Sequence, residues 1–207
     1  MYQHFFKRLL DILISLAGLL VLAIPMLLIA LIVKLDSPGP VFFKQKRVGR
    51  RKTYFMILKF RSMPTEIPHD VPTNELENPE AFLSKWQRFE RKTSIDELPQ
   101  LINILKGDMS IIGPRPALWN QFELIALRDT YGANDIRPGL TGWAQINGRD
   151  ELSDAVKSRY DGEYVRNMSF LFDCKCFFGT VKKVLTCDGV VEGGVKESDA
   201  SRKPIEK

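Results

Sequence analysis

"ILISLAGLLVLAIPMLLIALIV", residues 12–33, runs for 22 residues without a charge. At about 1.5 Å per residue, a helix of that length reaches across a hydrocarbon core of roughly 30 Å. It is too long for the apolar segment of a signal peptide, and no small-residue cleavage site follows before the charged stretch. Because it is apolar on all sides, its bland alternative is a fully buried core helix. Pro25 stands in the middle, where it removes the bond to the Val21 carbonyl and predicts a kink. Basic residues flank both ends: Lys7 and Arg8 before, then Lys34, Lys44, Lys46, Arg47, Arg50, Arg51 and Lys52 after. The heavier side marks the cytoplasmic face. A straight span strands Lys7 and Arg8 on the far side, whereas a helix that bends at Pro25 and returns keeps both flanks together. The residues alone leave both arrangements open.

Outward from this run the chain becomes polar and mixed. "VFFKQ" at 41–45 and "TYFMILKFRSM", about Tyr54–Arg61, read as two strands joined by the basic turn at Gly49–Arg51, a β-hairpin. Residues 64–80 carry four prolines and read as a loop. "EAFLSKWQRFER" and "ELPQLINILKGD" read as helices, the second stopped by Gly107. "GPRP" and "RPGLTG" read as rigid turns, and Ser153–Asn167 as a polar helix. "SFLFDCKCFFGTVKKVL", residues 169–185, mixes phenylalanines with lysines, which suits a helix at a membrane interface or one facing a core, with Ser169 as its cap. The expected class is therefore α+β, mostly helical. The expected organisation is a membrane segment over 1–36, a main domain over 37–187 with amphipathic interface helices, and a polar, disordered tail over 188–207.

The formal charge of +5 and a pI near 9.1 favour an anionic partner. Cys174, Cys176 and Cys187 are odd in number and lack metal-site spacing, so neither a disulfide framework nor a zinc site is expected. With only His4 and His69, triad chemistry has few candidates and carboxylates are the better catalysts to look for. "RKTSIDELPQL", residues 91–101, supplies a pair, Asp96 and Glu97. Ser94 and Glu97 match a capping box, but that register puts Pro99 inside the helix. Moving the cap to Asp96 puts Pro99 at the third helical position, where no bond is lost. Basic residues held by strand ends and prolines recur around the pair: Lys59, Arg61, Arg91, Arg115 between Pro114 and Pro116, and Arg137 before Pro138. A residue before proline is restricted to extended backbone, and the arginine fork matches phosphate oxygens. A carboxylate among arginines at a helix start is expected to stay ionised, available as a nucleophile or a Mg2+ ligand.

"KFRSM", "RKTSIDELPQLINILKGDMSIIGPRP" and "IRPGLTGWAQINGR", together with the N-terminal run through "KQKRVG", resemble the monotopic phosphoglycosyl transferases of the bacterial sugar transferase family. The resemblance covers about residues 5 to 185 and is carried by long motifs in order. It implies transfer of a sugar-1-phosphate from a UDP-sugar to undecaprenyl phosphate, with release of UMP, at the cytoplasmic face of the bacterial inner membrane. Asp96 matches the family's nucleophile, which forms a covalent phosphosugar intermediate. Glu97 matches its dyad partner, associated with Mg2+. Pro25 matches the break of a re-entrant helix, although Ile24 stands where many relatives have serine. Lys59, Arg61, Arg91, Arg115 and Arg137 are expected to share the diphosphate and the lipid phosphate. Membrane lipid is an implied partner, and a homodimer is compatible. The loop at 64–84 departs most from the family, and the sugar is not specified beyond a lean towards a diacetamido sugar. Two rival readings, a non-catalytic membrane scaffold and a tethered nucleic-acid binder, have no use for the adjacent carboxylates, and the second also lacks a motif of its class.

Overall fold

A computed structural model describes residues 2–64, 83–148 and 152–186. The expected tail at 188–207, most of the loop at 64–84, and Cys187 lie outside the described residues.

After one turn of π-helix at Tyr2–Phe6, the apolar run forms two helices, α1 (Lys7–Val21) and α2 (Ala23–Asp36), bent by 64°. The bend falls at Leu22, three residues before Pro25, which has no amide hydrogen to offer the Val21 carbonyl. The Met26 amide still donates to the Leu22 carbonyl at 2.8 Å, so the helix resumes at once. Among the described residues no single helix is long and apolar enough to cross a membrane. The core-helix reading fails on exposure. In α2 only Val33 is buried, while Leu27 is 70 % and Leu35 76 % exposed.

The polarity of α1 is inverted relative to a soluble helix. Lys7, Asp11 and Ser15, four residues apart, lie on the buried face, and Leu13, Ile14, Leu16 and Leu20 point outward. Asp11 accepts from the Ser110 hydroxyl and the Ile111 amide, both at 2.9 Å.

The hairpin is as expected, with slightly different ends: β1 (Phe42–Val48) pairs antiparallel with β2 (Tyr54–Phe60). Its connection is a 3-10 turn at Arg50–Lys52, in which Arg51 and Lys52 take positive φ. α3 (Lys85–Thr93) starts later than the sequence pattern suggests, because Ser84 and Gln87 form a reciprocal capping box there. α4 (Gln100–Lys106) ends on Gly107 at φ 100°, as expected. Next come β3 (Ser110–Ile112), α5 (Phe122–Asp129), β4 (Gly139–Thr141), α6 (Trp143–Ile146), α7 (Asp154–Asn167) and α8 (Phe170–Thr186).

The two motifs read as rigid turns do more than turn. The residues just before "GPRP" and those inside "RPGLTG" form a parallel two-stranded sheet, with Ser110 opposite Gly139 and Ile112 opposite Thr141. The approach is so close that a Cβ on Gly139 would overlap the Gly113 amide. The core joins β2, α4, β3, α7 and α8 through Ile57, Leu101, Ile104, Met109, Ile112, Tyr164 and Cys176. α8 leaves Leu171, Phe178 and Leu185 between 68 % and 79 % exposed.

Candidate active site

The carboxylate pair lies in neither helix register considered above. Ser94 caps the C-terminus of α3 in the left-handed region, at φ 57°, and its side chain caps nothing at the following turn. Ile95–Glu97 is a 3-10 turn, and Pro99, not Asp96, precedes the first residue of α4. This serves the same end. Pro99 gives up no hydrogen bond, and Asp96 and Glu97 sit on a tight turn between two helices, both buried.

β2 brings Lys59 to the turn. It shares a strand face with Ile57, whose burial draws that face inward. Asn103 fixes the spacing: its side chain accepts from the Leu58 amide and donates to the Met56 carbonyl, both at 2.9 Å, tying α4 to the open edge of β2. Lys59 Nζ then lies 2.7 Å from Glu97 Oε1 and 3.9 Å from Asp96 Oδ2. Arg115 Nη2 donates to the same Glu97 oxygen at 3.0 Å, and the Ser62 hydroxyl donates to Asp96 Oδ2 at 3.3 Å. Ser62 and Asn103 escaped sequence reasoning. Ser62 stands in "KFRSM", two residues after the end of a strand that delivers a lysine, which is the one signal that marks it.

Burial pushes the Asp96 carboxyl above the usual carboxylate range, and Glu97 beside it adds to the effect. Lys59 first, then Arg91 and Arg115, oppose it. The simple expectation of an ionised carboxylate among arginines thus omits the largest influence, removal from water. A more basic carboxylate is a better nucleophile once ionised.

Five basic residues were expected to face phosphate. Lys59 and Arg115 stand at the dyad, and the Arg91 charge is felt at Asp96. Arg61 is turned to the end of α2 instead. Its Nη2 donates to the carbonyls of Ser37 at 2.7 Å and Val33 at 3.2 Å and to the Ser37 hydroxyl at 2.9 Å, and Nη1 donates to the Pro38 carbonyl. Arg61 thus closes the C-terminus of α2, where a positive charge suits the helix dipole. Arg137 donates through Nε to the Gly107 carbonyl at 2.9 Å, beyond the end of α4, whose Ile104 and Leu105 carbonyls accept from Arg8. Arg61→Ala is expected to lower the melting temperature by several degrees, because four buried or half-buried acceptors lose their donor. A thermal melt of the purified chain checks it.

Glu90, on α3, is fully buried near the dyad. Burial, then the charge of Asp96, pushes its carboxyl up to about 8. Between the ordinary 4.5 and 8, the folded chain keeps a proton that the unfolded chain releases. Stability therefore falls as pH rises through that window, by at most about 1.4 kcal/mol per unit. Glu90→Gln removes this dependence. Melting at pH 8 should rise relative to the parent chain, with little change at pH 4.5.

Two adjacent buried carboxylates supply hard oxygen donors, and Mg2+ is ordinarily bound through one or two carboxylates plus substrate phosphates. The donor set fits such an ion. Among the described residues no group of three or more potential ligands forms a self-sufficient metal site.

Residues 2–187 match the family model described as "Bacterial sugar transferase". The chain belongs to that bacterial sugar transferase family. Within it, the chain is 42 % identical over 184 residues to the uncharacterized sugar transferase EpsL of Bacillus subtilis (strain 168), covering 89 % of both proteins. It is 41 % identical over 184 residues to the UDP-glucose:undecaprenyl-phosphate glucose-1-phosphate transferase of Escherichia coli (strain K12), covering 86 % of this chain and 39 % of that enzyme. It is 37 % identical over 188 residues to the UDP-N-acetylgalactosamine-undecaprenyl-phosphate N-acetylgalactosaminephosphotransferase of Aeromonas hydrophila, covering 88 % of this chain and 44 % of that enzyme. This sugar transferase chain thus spans less than half the length of those two relatives whose names state a reaction.

Proposed function

We propose that the protein is a phosphoglycosyl transferase that moves a sugar-1-phosphate from a UDP-sugar to undecaprenyl phosphate and releases UMP. The observation that carries this is the buried dyad, with Glu97 held by Lys59 and Arg115 and Asp96 held by Ser62. A scaffold has no use for two carboxylates kept from water among cations. Family relatives whose names state this class of reaction support the same reading.

In the first half-reaction an Asp96 carboxylate oxygen attacks the β-phosphorus of the UDP-sugar. The bond from that phosphorus to the bridging oxygen breaks, and UMP leaves with the electron pair. In the second, a phosphate oxygen of undecaprenyl phosphate attacks the same phosphorus and the Asp96 carboxylate leaves. Lys59 and Arg115 offset the negative charge that gathers where an anion attacks an anion. Mg2+, held by Glu97 with Asp96 beside it, would neutralise diphosphate charge when bound. Glu97, locked at one oxygen by two cations, orients the turn that carries Asp96.

The bent pair α1–α2 acts in this reading as a re-entrant membrane segment. Its outward leucines meet lipid, α8 lies at the interface, and both ends face the cytoplasm on the inner membrane of a bacterium. Gln3→Cys in a chain otherwise free of cysteine should react in intact cells only with a membrane-permeant maleimide. Labelling by an impermeant reagent added outside would mean a full span.

Enzymatic identity is tested by UMP release with undecaprenyl phosphate, Mg2+ and a panel of UDP-linked glucose, galactose, N-acetylglucosamine, N-acetylgalactosamine and a diacetamido sugar. Release with at least one donor, dependent on the lipid phosphate for continued turnover, is expected. No release with any donor would count against the assignment.

A further inference from the structure

The segment Pro114–Ala117 carries Arg115 into the site, and two of its four residues lack an amide hydrogen. Its carbonyls are nevertheless all engaged. Pro114 accepts from the Gly139 amide at 2.8 Å, and Ala117 from the Val48 amide at 2.9 Å. Pro116 accepts from Arg47 Nη1 at 3.0 Å. The Arg115 carbonyl itself accepts from Arg128 Nη1 at 2.9 Å.

Arg128 differs from the other donors. It lies on α5, only 5 % exposed, and its guanidinium is gripped by Asp161 on α7, which is 1 % exposed. Nε donates to Asp161 Oδ2 at 2.8 Å, and Nη2 lies 2.7 Å from the same oxygen. A buried ion pair of this kind contributes little net stability compared with apolar packing, yet losing either partner is costly. Here the pair leaves one guanidinium nitrogen pointed at the backbone of an arginine that touches the dyad. The arrangement runs without a gap: Asp161 to Arg128, Arg128 to the Arg115 carbonyl, Arg115 to Glu97.

We infer that Arg128, set by Asp161, is a positioning residue for sugar-phosphate transfer, fixing the backbone from which Arg115 reaches Glu97. The inference rests on the proposed reaction at the dyad. It assigns to α5 and α7, neither of which carries a residue of the dyad, a part in holding the geometry of the reaction. A displacement of about 1 Å of a catalytic group can cost 100-fold in rate.

The test is a double-mutant cycle in the full chain, measured as UMP release with undecaprenyl phosphate and the fastest donor of the five-sugar panel. Arg128→Met is combined with Asp161→Asn so that no lone charge is buried. In the parent background this pair should lower kcat/KM roughly 10–100-fold. In an Arg115→Ala background it should lower it less than about three-fold further, since the group it positions is gone. Equal losses in both backgrounds would overturn the inference, because a general effect on folding does not depend on Arg115. If the pair variant fails to fold, Arg128→Lys, which keeps a cation beside Asp161 but cannot span both partners, must show the same non-additivity; additive losses overturn the inference there too. Retained turnover in both Asp96→Asn and Arg115→Ala would overturn the proposed reaction and this inference with it. Loss of turnover in those two with additivity at Arg128 overturns this inference alone.

Discussion

Asp96→Asn is expected to lower UMP release by at least about 1,000-fold, with the melting temperature nearly unchanged. The amide keeps the shape of the carboxyl and can still accept from Ser62, whose hydroxyl stands 3.3 Å away. What it lacks is a charged oxygen able to bond to phosphorus and then leave. Because burial raises the Asp96 pKa, the rate of the parent enzyme should fall on acidification through a limb above the ordinary 3.8 of an aspartate. Lys59→Met removes the largest influence opposing that shift, so it should move the limb to higher pH as well as slow the reaction. Glu97→Gln should slow the reaction less than Asp96→Asn, because it weakens the hold of Lys59 and Arg115 without removing the attacking atom.

The largest loss of stability is expected far from the dyad, at Asp173. This buried carboxylate on α8 accepts from the hydroxyls of Tyr2 at 2.5 Å and Tyr164 at 2.7 Å and pairs with Lys7 Nζ at 2.7 Å. It thereby joins the π-helical turn, α1, α7 and α8 at one point. Asp173→Ala removes the carboxylate that pairs with the Lys7 ammonium, itself 9 % exposed, takes the acceptor from Tyr2, and leaves Tyr164 the more distant Ile112 carbonyl at 3.3 Å. Breaking a buried pair from one side costs about 3–5 kcal/mol. For a chain of this size that corresponds to a melting decrease of roughly 6–20 °C, read by thermal denaturation. Asp173→Asn, which keeps an acceptor for the hydroxyls, should lose less.

The sequence showed the local features whose physics is local. Pro25 announces the bend, the alternating runs announce the hairpin, and Gly107 announces the end of α4. The adjacent carboxylates were equally visible, since they stand side by side ahead of Pro99 in a chain rich in basic turns. What depends on distant partners was not visible. Lys7 and Arg8 look like flanking charges of a membrane segment. Their partners lie far along the chain: Lys7 meets Asp173, and Arg8 closes α4. Arg61 reads as a phosphate ligand because it is a basic residue at a strand end, yet its guanidinium donates to carbonyls at the end of α2. The parallel pairing of β3 with β4 left no pattern in two three-residue strands, and only the glycines of "GPRP" and "RPGLTG" hinted at a close approach. Burial, likewise, is a property of the assembled fold, so the raised pKa of Asp96 could not be read from the charges around it.

A covalent phosphosugar on Asp96 is detected by intact-protein mass after incubation with a UDP-sugar and Mg2+ in the absence of lipid acceptor. Expected are a mass gain of one sugar phosphate, stoichiometric UMP, loss of the adduct on adding undecaprenyl phosphate, and no adduct on Asp96→Asn. Full turnover without any adduct, or an adduct that persists in Asp96→Asn, would contradict it.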